Sequence, residues 1–184
     1  MRRAGFGATR DELEELAEKG YEAAVEDLLH PERFPEQEDM DLLRRYGGAV
    51  GNGHYHGEWE HRMVNSQRPL AEKMALFCHQ VFATATEKSK IHVYDQIDMF
   101  RRIGLLDLRT ILTGLSADPA MLMWLDNQEN FKGEPNENYG RELLELFSMG
   151  VGNYTEEDVK ASAMAFTGWT FETPIPALST RHGS

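Results

Sequence analysis

The sequence has little of several features that would point directly to a function. Its single cysteine, Cys78, excludes an internal disulfide and any CxxC metal or redox motif. No hydrophobic run approaches the roughly 20 apolar residues that a membrane-spanning helix needs. The opening residues, MRRAGFG, carry two arginines but no apolar segment behind them, so the chain contains no signal peptide pattern.

Positive charge is also scarce. The chain has 19 Lys and Arg residues against 31 Asp and Glu residues, which gives a net charge of −12. Binding to DNA or RNA through phosphates needs a basic surface, so this balance argues against a nucleic-acid partner and equally against an anionic membrane surface. At 184 residues and 41% hydrophobic content, the chain can bury a substantial core.

Strand patterns are absent beyond about five residues, whereas apolar residues recur at helical spacing along most of the chain. Capping boxes begin at Thr9 and at Thr155, each followed three residues later by an acidic side chain. We therefore predict an all-α protein of about eight helices, packed as an irregular multi-helix array without a significant sheet. A single helical region is expected to cover residues 1–184, with an irregular tail at residues 170–184.

A long helix is predicted from Pro69 to about Ala85. Its apolar face is formed by Leu70, Met74, Phe77 and Val81. His79 lies on the opposite side, where other apolar residues also occur, so the helix is expected to be buried on both sides. The imidazole is then either a hydrogen-bonded core histidine or a ligand or general base.

A second polar candidate is the helix predicted from Asn136 to Met149. At about 100° per residue, Asn138, Glu142 and Glu145 share one face. That face flanks a predicted core face of Tyr139, Leu143, Leu146 and Phe147. A polar row beside a core stripe is typical of a helix that lines an internal polar site.

The alternative interpretation of this row is a solvated surface. Arg141 stands four residues from both Glu137 and Glu145, the spacing of stabilising ion pairs on an exposed helix. Gly140 favours a packed helix, because a mid-helix glycine costs about 1 kcal/mol relative to alanine and indicates close approach by another element.

The segment 47–57 contains five glycines and is predicted to be a flexible loop. His54 and His56, with the nearby His61, could bind zinc or copper weakly, because imidazole suits both ions. No cysteine or evident fourth ligand lies beside them. The chain also has no phosphate-binding glycine loop, nucleophile elbow, HExxH motif or dinucleotide fingerprint.

Seven stretches, in order from one end of the chain to the other, resemble the amino-terminal part of the bacterial domain-of-unknown-function 1800 family. They are RRAGFGAT (2–9), PLAEKMALFCH (69–79), DPAM (118–121), WLDN (124–127), NEN to Gly150 (136–150), GNYT (152–155) and AFTGW (165–169). The family usually has Trp where Cys78 stands, and many members add a second histidine where this chain has Val81. A site that needs both histidines is therefore not expected here.

The resemblance further implies that this chain is the amino-terminal part of a longer protein, because family members extend beyond it at both ends. The missing carboxy-terminal part would then pack on these helices, and some relatives carry export signals. The family supplies no established activity, cofactor, metal or substrate.

Two functions are compatible with these observations. In the first, His79, Asn138, Glu142 and Glu145 line an interior polar pocket, with Arg141 or Asn127 nearby, that binds a metal or small ligand and supports hydrolytic or redox chemistry. In the second, the chain is a structural or assembly module of an exported or envelope-associated protein, and the same polar residues act as caps and internal salt bridges.

Overall fold

The structure is a computed structural model that describes residues 3–36 and 53–171. Nine α-helices lie in these ranges: α1 (Arg10–Lys19), α2 (Tyr21–Leu29), α3 (Gly53–Asn65), α4 (Pro69–Val81), α5 (Lys90–Ile103), α6 (Leu108–Ser116), α7 (Pro119–Trp124), α8 (Asn138–Glu142) and α9 (Glu156–Ala165). Two 3-10 helices, Pro31–Arg33 and Asn127–Glu129, and a π-helical segment, Leu143–Ser148, complete the helical elements. The all-α prediction is confirmed.

The only β-type pairing within the described ranges is an isolated bridge between Phe131 and Glu134. None of the helices in those ranges combines the length and apolarity needed to cross a membrane. The chain divides into two compact units, which we call the first unit (residues 1–120) and the second unit (residues 121–184).

The predicted capping boxes are both present. The Thr9 side chain accepts from the Glu12 amide, and a Glu12 carboxylate oxygen in turn accepts from the Thr9 amide at 2.6 Å, so α1 begins where the sequence indicates. Thr155 and Asp158 make the same reciprocal pair at the start of α9. α1 ends at Gly20, whose φ of +85° is readily adopted only by glycine.

Residues 53–57 do not form the predicted loop, because α3 begins at Gly53; residues 47–52 lie outside the described residues. Packing outweighs the low helix propensity of glycine here. Trp59 of α3 packs against a buried apolar cluster of Val93, Ile97 and Ala120. Tertiary packing of this kind supplies most of the stability of a short helix.

α4 ends at Val81, before the predicted end at Ala85, and it buries a different face from the one predicted. Phe77 and Val81 are 56% and 43% exposed. The buried positions are Ala71, Glu72, Ala75 and Cys78. Three of these four side chains are small, which lets neighbouring backbone approach closely; a Cβ placed on Gly104, just beyond α5, would lie 3.5 Å from Cys78 Sγ.

The helix predicted to run to Met149 changes its geometry after Glu142. From Leu143 to Ser148 it is π-helical, and the Met149 amide donates to the Leu144 carbonyl five residues earlier at 2.9 Å. A periodicity of about 100° per residue therefore fails in this segment. Leu146, predicted to face the core, is 65% exposed.

Gly140 lies where α8 meets α9, as its position in the sequence predicts. A Cβ at Gly140 would lie 3.0 Å from the backbone nitrogen of Ala163 and 3.1 Å from Ser162 Cβ. The adjacent Tyr139 is fully buried, and its ring meets that of Phe166 edge to face at 4.9 Å. Glycine is favoured here because a Cβ would lie closer to α9 than most Cβ contacts do, so α9 would have to shift by a few tenths of an ångström.

Replacing Gly140 by alanine is expected to destabilise the protein by about 1–3 kcal/mol, because the added methyl group would press on the α9 backbone. Gly57 offers a matched control on α3, since a Cβ there meets no atom within 4 Å. Gly57→Ala should instead stabilise by roughly 0.5–1 kcal/mol through helix propensity. Urea unfolding of both variants measures the two effects; equal shifts of the same sign would contradict the close approach.

Candidate functional site

The predicted site residues are distributed over both units. His79 belongs to the first unit, on α4. Five other candidates belong to the second unit: Asn127, Asn138, Arg141, Glu142 and Glu145. Their joint pocket stays a prediction.

His79 is half-buried, and its Nδ1 atom is inaccessible and has no hydrogen-bond partner among the described residues. The indole of Trp59, on α3, meets the His79 ring edge-on with a centroid separation of 5.8 Å. Trp59 Nε1 is likewise buried and lacks an acceptor in the described part of the chain. The indole nitrogen of Trp59 and Nδ1 of the neighbouring His79 are thus both without a hydrogen bond, although buried polar groups are normally paired.

The pKa of His79 lies below its ordinary value of 6.5. Burial is the main cause, because removal from water disfavours the charged imidazolium, and a side-chain hydrogen bond with Gln96 opposes it in part. His79 is therefore neutral at pH 7. A neutral imidazole is the form that accepts a hydrogen bond, removes a proton or ligates a metal.

Gln96, on α5, organises the polar interior beside His79. It is fully buried, its Oε1 accepts from the Thr84 hydroxyl at 2.7 Å, and its Nε2 donates to Asp118 Oδ1 at 2.7 Å. Asp118 directly precedes Pro119, the first residue of α7. Gln96 was not predicted as a site residue, and its only signal in the sequence is a polar position between the apolar residues Val93 and Ile97 on the same helix.

Glu72, in the first turn of α4, is a second buried polar group that was not predicted from the sequence. It is 2% exposed, and its Oε1 accepts from Arg101 Nε at 2.6 Å. Its Oε2 has no partner among residues that the structure describes. Glu72 precedes His79 by seven residues, two helical turns, so both lie on the same side of α4.

The asparagines of the second unit mostly hold its backbone in place. Asn138 Nδ2 donates to the Leu125 carbonyl at 3.1 Å, just after α7. Asn127 is 1% exposed and its Oδ1 accepts from Asn130, which also donates to the Ala163 carbonyl of α9 at 2.8 Å. Asn127 Nδ2 finds no acceptor in the described residues.

Arg141 does not pair with Glu145, one of the two partners that the spacing offered. It pairs with Glu137 at 3.2 Å and, through both terminal nitrogens at 2.8 Å, with the carboxylate of Glu156 on α9. The hydrogen bonds to Glu156 raise the pKa of the Arg141 guanidinium further above its ordinary value. A two-pronged contact of this kind fixes orientation as well as charge.

Glu145 lies in the π-helical segment, and its Oε2 accepts from the Tyr154 hydroxyl at 2.5 Å. This hydrogen bond raises the pKa of Tyr154 above its ordinary value of 10.0, because the carboxylate stabilises the protonated phenol. Glu142 is half-buried and makes no ion pair within the described ranges. Of the two carboxylates in the predicted polar row, Glu142 is therefore the one with fewer interactions within the described structure.

The candidate zinc or copper histidines lie on or near α3. His61 Nδ1 contacts Asn65 Nδ2 at 3.1 Å, and the His56 ring lies 6.2 Å from that of Tyr94. The side chain of His54 is outside the described part of the structure. Among described residues, no three His, Cys, Asp or Glu side chains gather as a metal site would require.

The first unit also contains a cavity of about 660 Å³ between α1, α2, the end of α3 and the start of α4. This volume is in the range of small-molecule sites. Four of its five charged wall groups are already engaged: Glu12 binds Thr9, Lys19 pairs with Asp27, and Arg68 binds the Phe34 carbonyl and Glu36. The unsatisfied buried atoms of the first unit lie elsewhere, at Trp59, Glu72 and His79.

Comparison with known proteins gives one match. The profile of a family described as "Protein of unknown function (DUF1800)" matches residues 1–183. No curated protein and no solved structure matches the chain. The family description carries no activity, so a function has to be inferred from the side chains.

The lowered pKa of His79 makes a pH-dependent stability testable. Below pH 6.5 the unfolded chain takes up a proton on this imidazole whereas the folded chain does not, so the free energy of unfolding falls as pH falls from 6.5 toward the folded-state pKa. The slope should be at most about 1.4 kcal/mol per pH unit. Urea unfolding from about pH 7 to about pH 5 measures it.

His79→Gln should flatten this slope relative to the unmodified protein, and His61→Gln on α3 provides the control that keeps it. If His79→Gln left the slope unchanged, another group would be responsible for the acid sensitivity.

Gln96→Leu should destabilise the protein by about 2–3 kcal/mol, because the buried Thr84 hydroxyl loses its acceptor and Asp118 loses a donor. The same substitution at Gln80, an exposed residue of α4, should change stability by no more than about 0.5 kcal/mol. Thermal unfolding followed by circular dichroism compares the two; a neutral Gln96→Leu would contradict the bridging role of this amide.

Proposed function

Since the chain belongs to a protein family of unknown function, DUF1800, we propose its function from the site alone: the first unit binds a small ligand through His79. The observation that carries this proposal is the pair of buried, unsatisfied nitrogens of His79 and Trp59 on adjacent helices. Leaving a buried polar atom unpaired costs about 1–3 kcal/mol, so a partner for these atoms is expected.

The chemical state of His79 suits this role. The imidazole is neutral at pH 7, and it contacts the side chains of Trp59 and Gln96. Ligand contacts are most effective when the residues that make them are held in place before binding. Nδ1 of His79 could also bind a metal ion or remove a proton, so this proposal covers both a metal and a small molecule as the ligand.

A second candidate, a structural or assembly module, is favoured by the second unit. Asn138, Arg141 and Glu145 of the predicted polar helix, and Asn130 before it, each bind another group of that unit. Side chains used in this way stabilise a fold and are not available to a ligand. Two further points stay predictions: another part of the same protein packs on these helices, and the protein is exported or associated with the envelope.

Native mass spectrometry with elemental analysis of the 184-residue chain tests the ligand proposal. Protein purified without denaturation should carry a stoichiometric metal or small-molecule adduct. The adduct should disappear in His79→Ala, because the unpaired nitrogen is lost.

Glu142→Ala is the matched control, since it removes a half-buried polar side chain of the second unit and should keep the adduct. Circular dichroism establishes that both variants fold. A wild-type protein with neither an adduct nor a metal would contradict ligand binding and leave the assembly module as the better account.

A further inference from the structure

Helices α1 and α2, in the first unit, bury no residue completely, although both carry apolar side chains. Leu16 of α1 and Leu28 of α2 are only half-buried, and both lie in the wall of the cavity described above. A short helix obtains most of its stability by packing its apolar face against other elements. These two leucines border the cavity instead of a close-packed core.

The wall of this cavity is largely apolar and comes from several segments of the first unit. It includes Phe6 before α1, Leu16, Leu28, Phe34 after the first 3-10 helix, and Met63 near the end of α3, all of them half-buried. Protein interiors rarely contain voids larger than a water molecule. A volume of about 660 Å³ is far larger and falls in the range of small-molecule sites.

Both cations of the wall already have anionic partners. Lys19 pairs with Asp27, and Arg68 binds Glu36 and the Phe34 carbonyl at 2.9 Å each. An anionic ligand would lose its hydration on entering the cavity without gaining an uncommitted cation. The wall therefore disfavours carboxylates and phosphates.

The carboxylates of the wall offer equally little to a cation. Glu12 is held in the capping box of α1, where it accepts from the Thr9 amide, and Asp27 is paired with Lys19. Glu15 is exposed to solvent, where an ion pair contributes little to binding. A ligand charge of either sign is thus poorly compensated here.

We propose that this cavity is a binding site for a neutral, largely apolar small molecule. Binding removes the apolar surface of the ligand and of the half-buried wall from water, which is its main driving force. Asn65, Ser66 and Gln67, at the end of α3 and in the connection to α4, provide uncharged polar groups for a single hydroxyl or carbonyl. His79 does not line the cavity, so this site is separate from the proposed function.

Three molecules with the same alkyl chain test the ligand class: 1-octanol, octylammonium and octanoate. In calorimetric titration of the 184-residue chain, 1-octanol should bind at least about tenfold more tightly than either ion. Equal or tighter binding of an ion would overturn the neutral class. Absence of binding by all three would overturn the site.

Two adjacent alanines of α2 locate the binding. Ala24 is half-buried in the cavity wall, whereas Ala23 is exposed and lies outside it. Ala24→Trp should lower the affinity for 1-octanol about tenfold or more, because the indole takes the space of the ligand, and should keep or raise the melting temperature. Ala23→Trp should bind 1-octanol as the unmodified protein does. Ala24→Phe replaces Ala24→Trp if the latter does not fold.

Equal binding of 1-octanol by the Ala24 and Ala23 variants would place the alkyl chain elsewhere on the protein and overturn the inference. His79→Gln should leave the affinity for 1-octanol unchanged, because this residue is outside the cavity wall. Loss of 1-octanol binding in folded His79→Gln would overturn the separate site and support ligand binding through His79. Failure of the octanol test and failure of the proposed function are therefore distinguishable.

Discussion

The polar interior of the first unit depends on the two hydrogen bonds of Gln96. Through them a side chain of α5 is joined to Thr84, in the connection after α4, and to Asp118, at the start of α7. Each bond is buried, where a lost partner is not replaced by water. The same amide also interacts with the His79 side chain, so the stability of the unit and the surroundings of this histidine depend on one residue.

The second unit uses its polar residues differently. Asparagine side chains bind carbonyls at helix ends and in the loop before α8, while Arg141 and Glu145 join their segment to α9 and to Tyr154. These groups lie near the surface or bind backbone, so they need no external partner. Asn127 Nδ2 and Gln128 Oε1 of the second unit are also buried without a partner among the described residues. The ligand is placed in the first unit because two unsatisfied nitrogens there belong to rings in contact, those of His79 and Trp59.

Local signals predicted much of the fold. The caps at Thr9 and Thr155 and the close approach at Gly140 depend on a few adjacent residues, and each is present. The burial of α4 was mispredicted because apolar periodicity favours large side chains. Close packing of Ala71, Ala75 and Cys78 instead exposes Phe77, and no local pattern distinguishes the two faces.

The candidate site was predictable only in part. His79 was identified as an interior histidine in need of a partner, and its neighbours Trp59 and Gln96 could not be identified because they come from other helices at distant positions in the chain. The π-helical segment could not be predicted either, because the hydrogen-bond register of Leu143–Ser148 changes without any proline or glycine inside it. Both features arise from tertiary structure.

The lone cysteine gives the protein a built-in reporter of its own motions. Cys78 is 2% exposed on the close-packed face of α4, and burial raises the pKa of its thiol, which makes the reactive thiolate still rarer. A thiol reagent can reach it only when that face separates from its neighbours. Its labelling rate then reports local opening one residue away from His79, without the introduction of any probe.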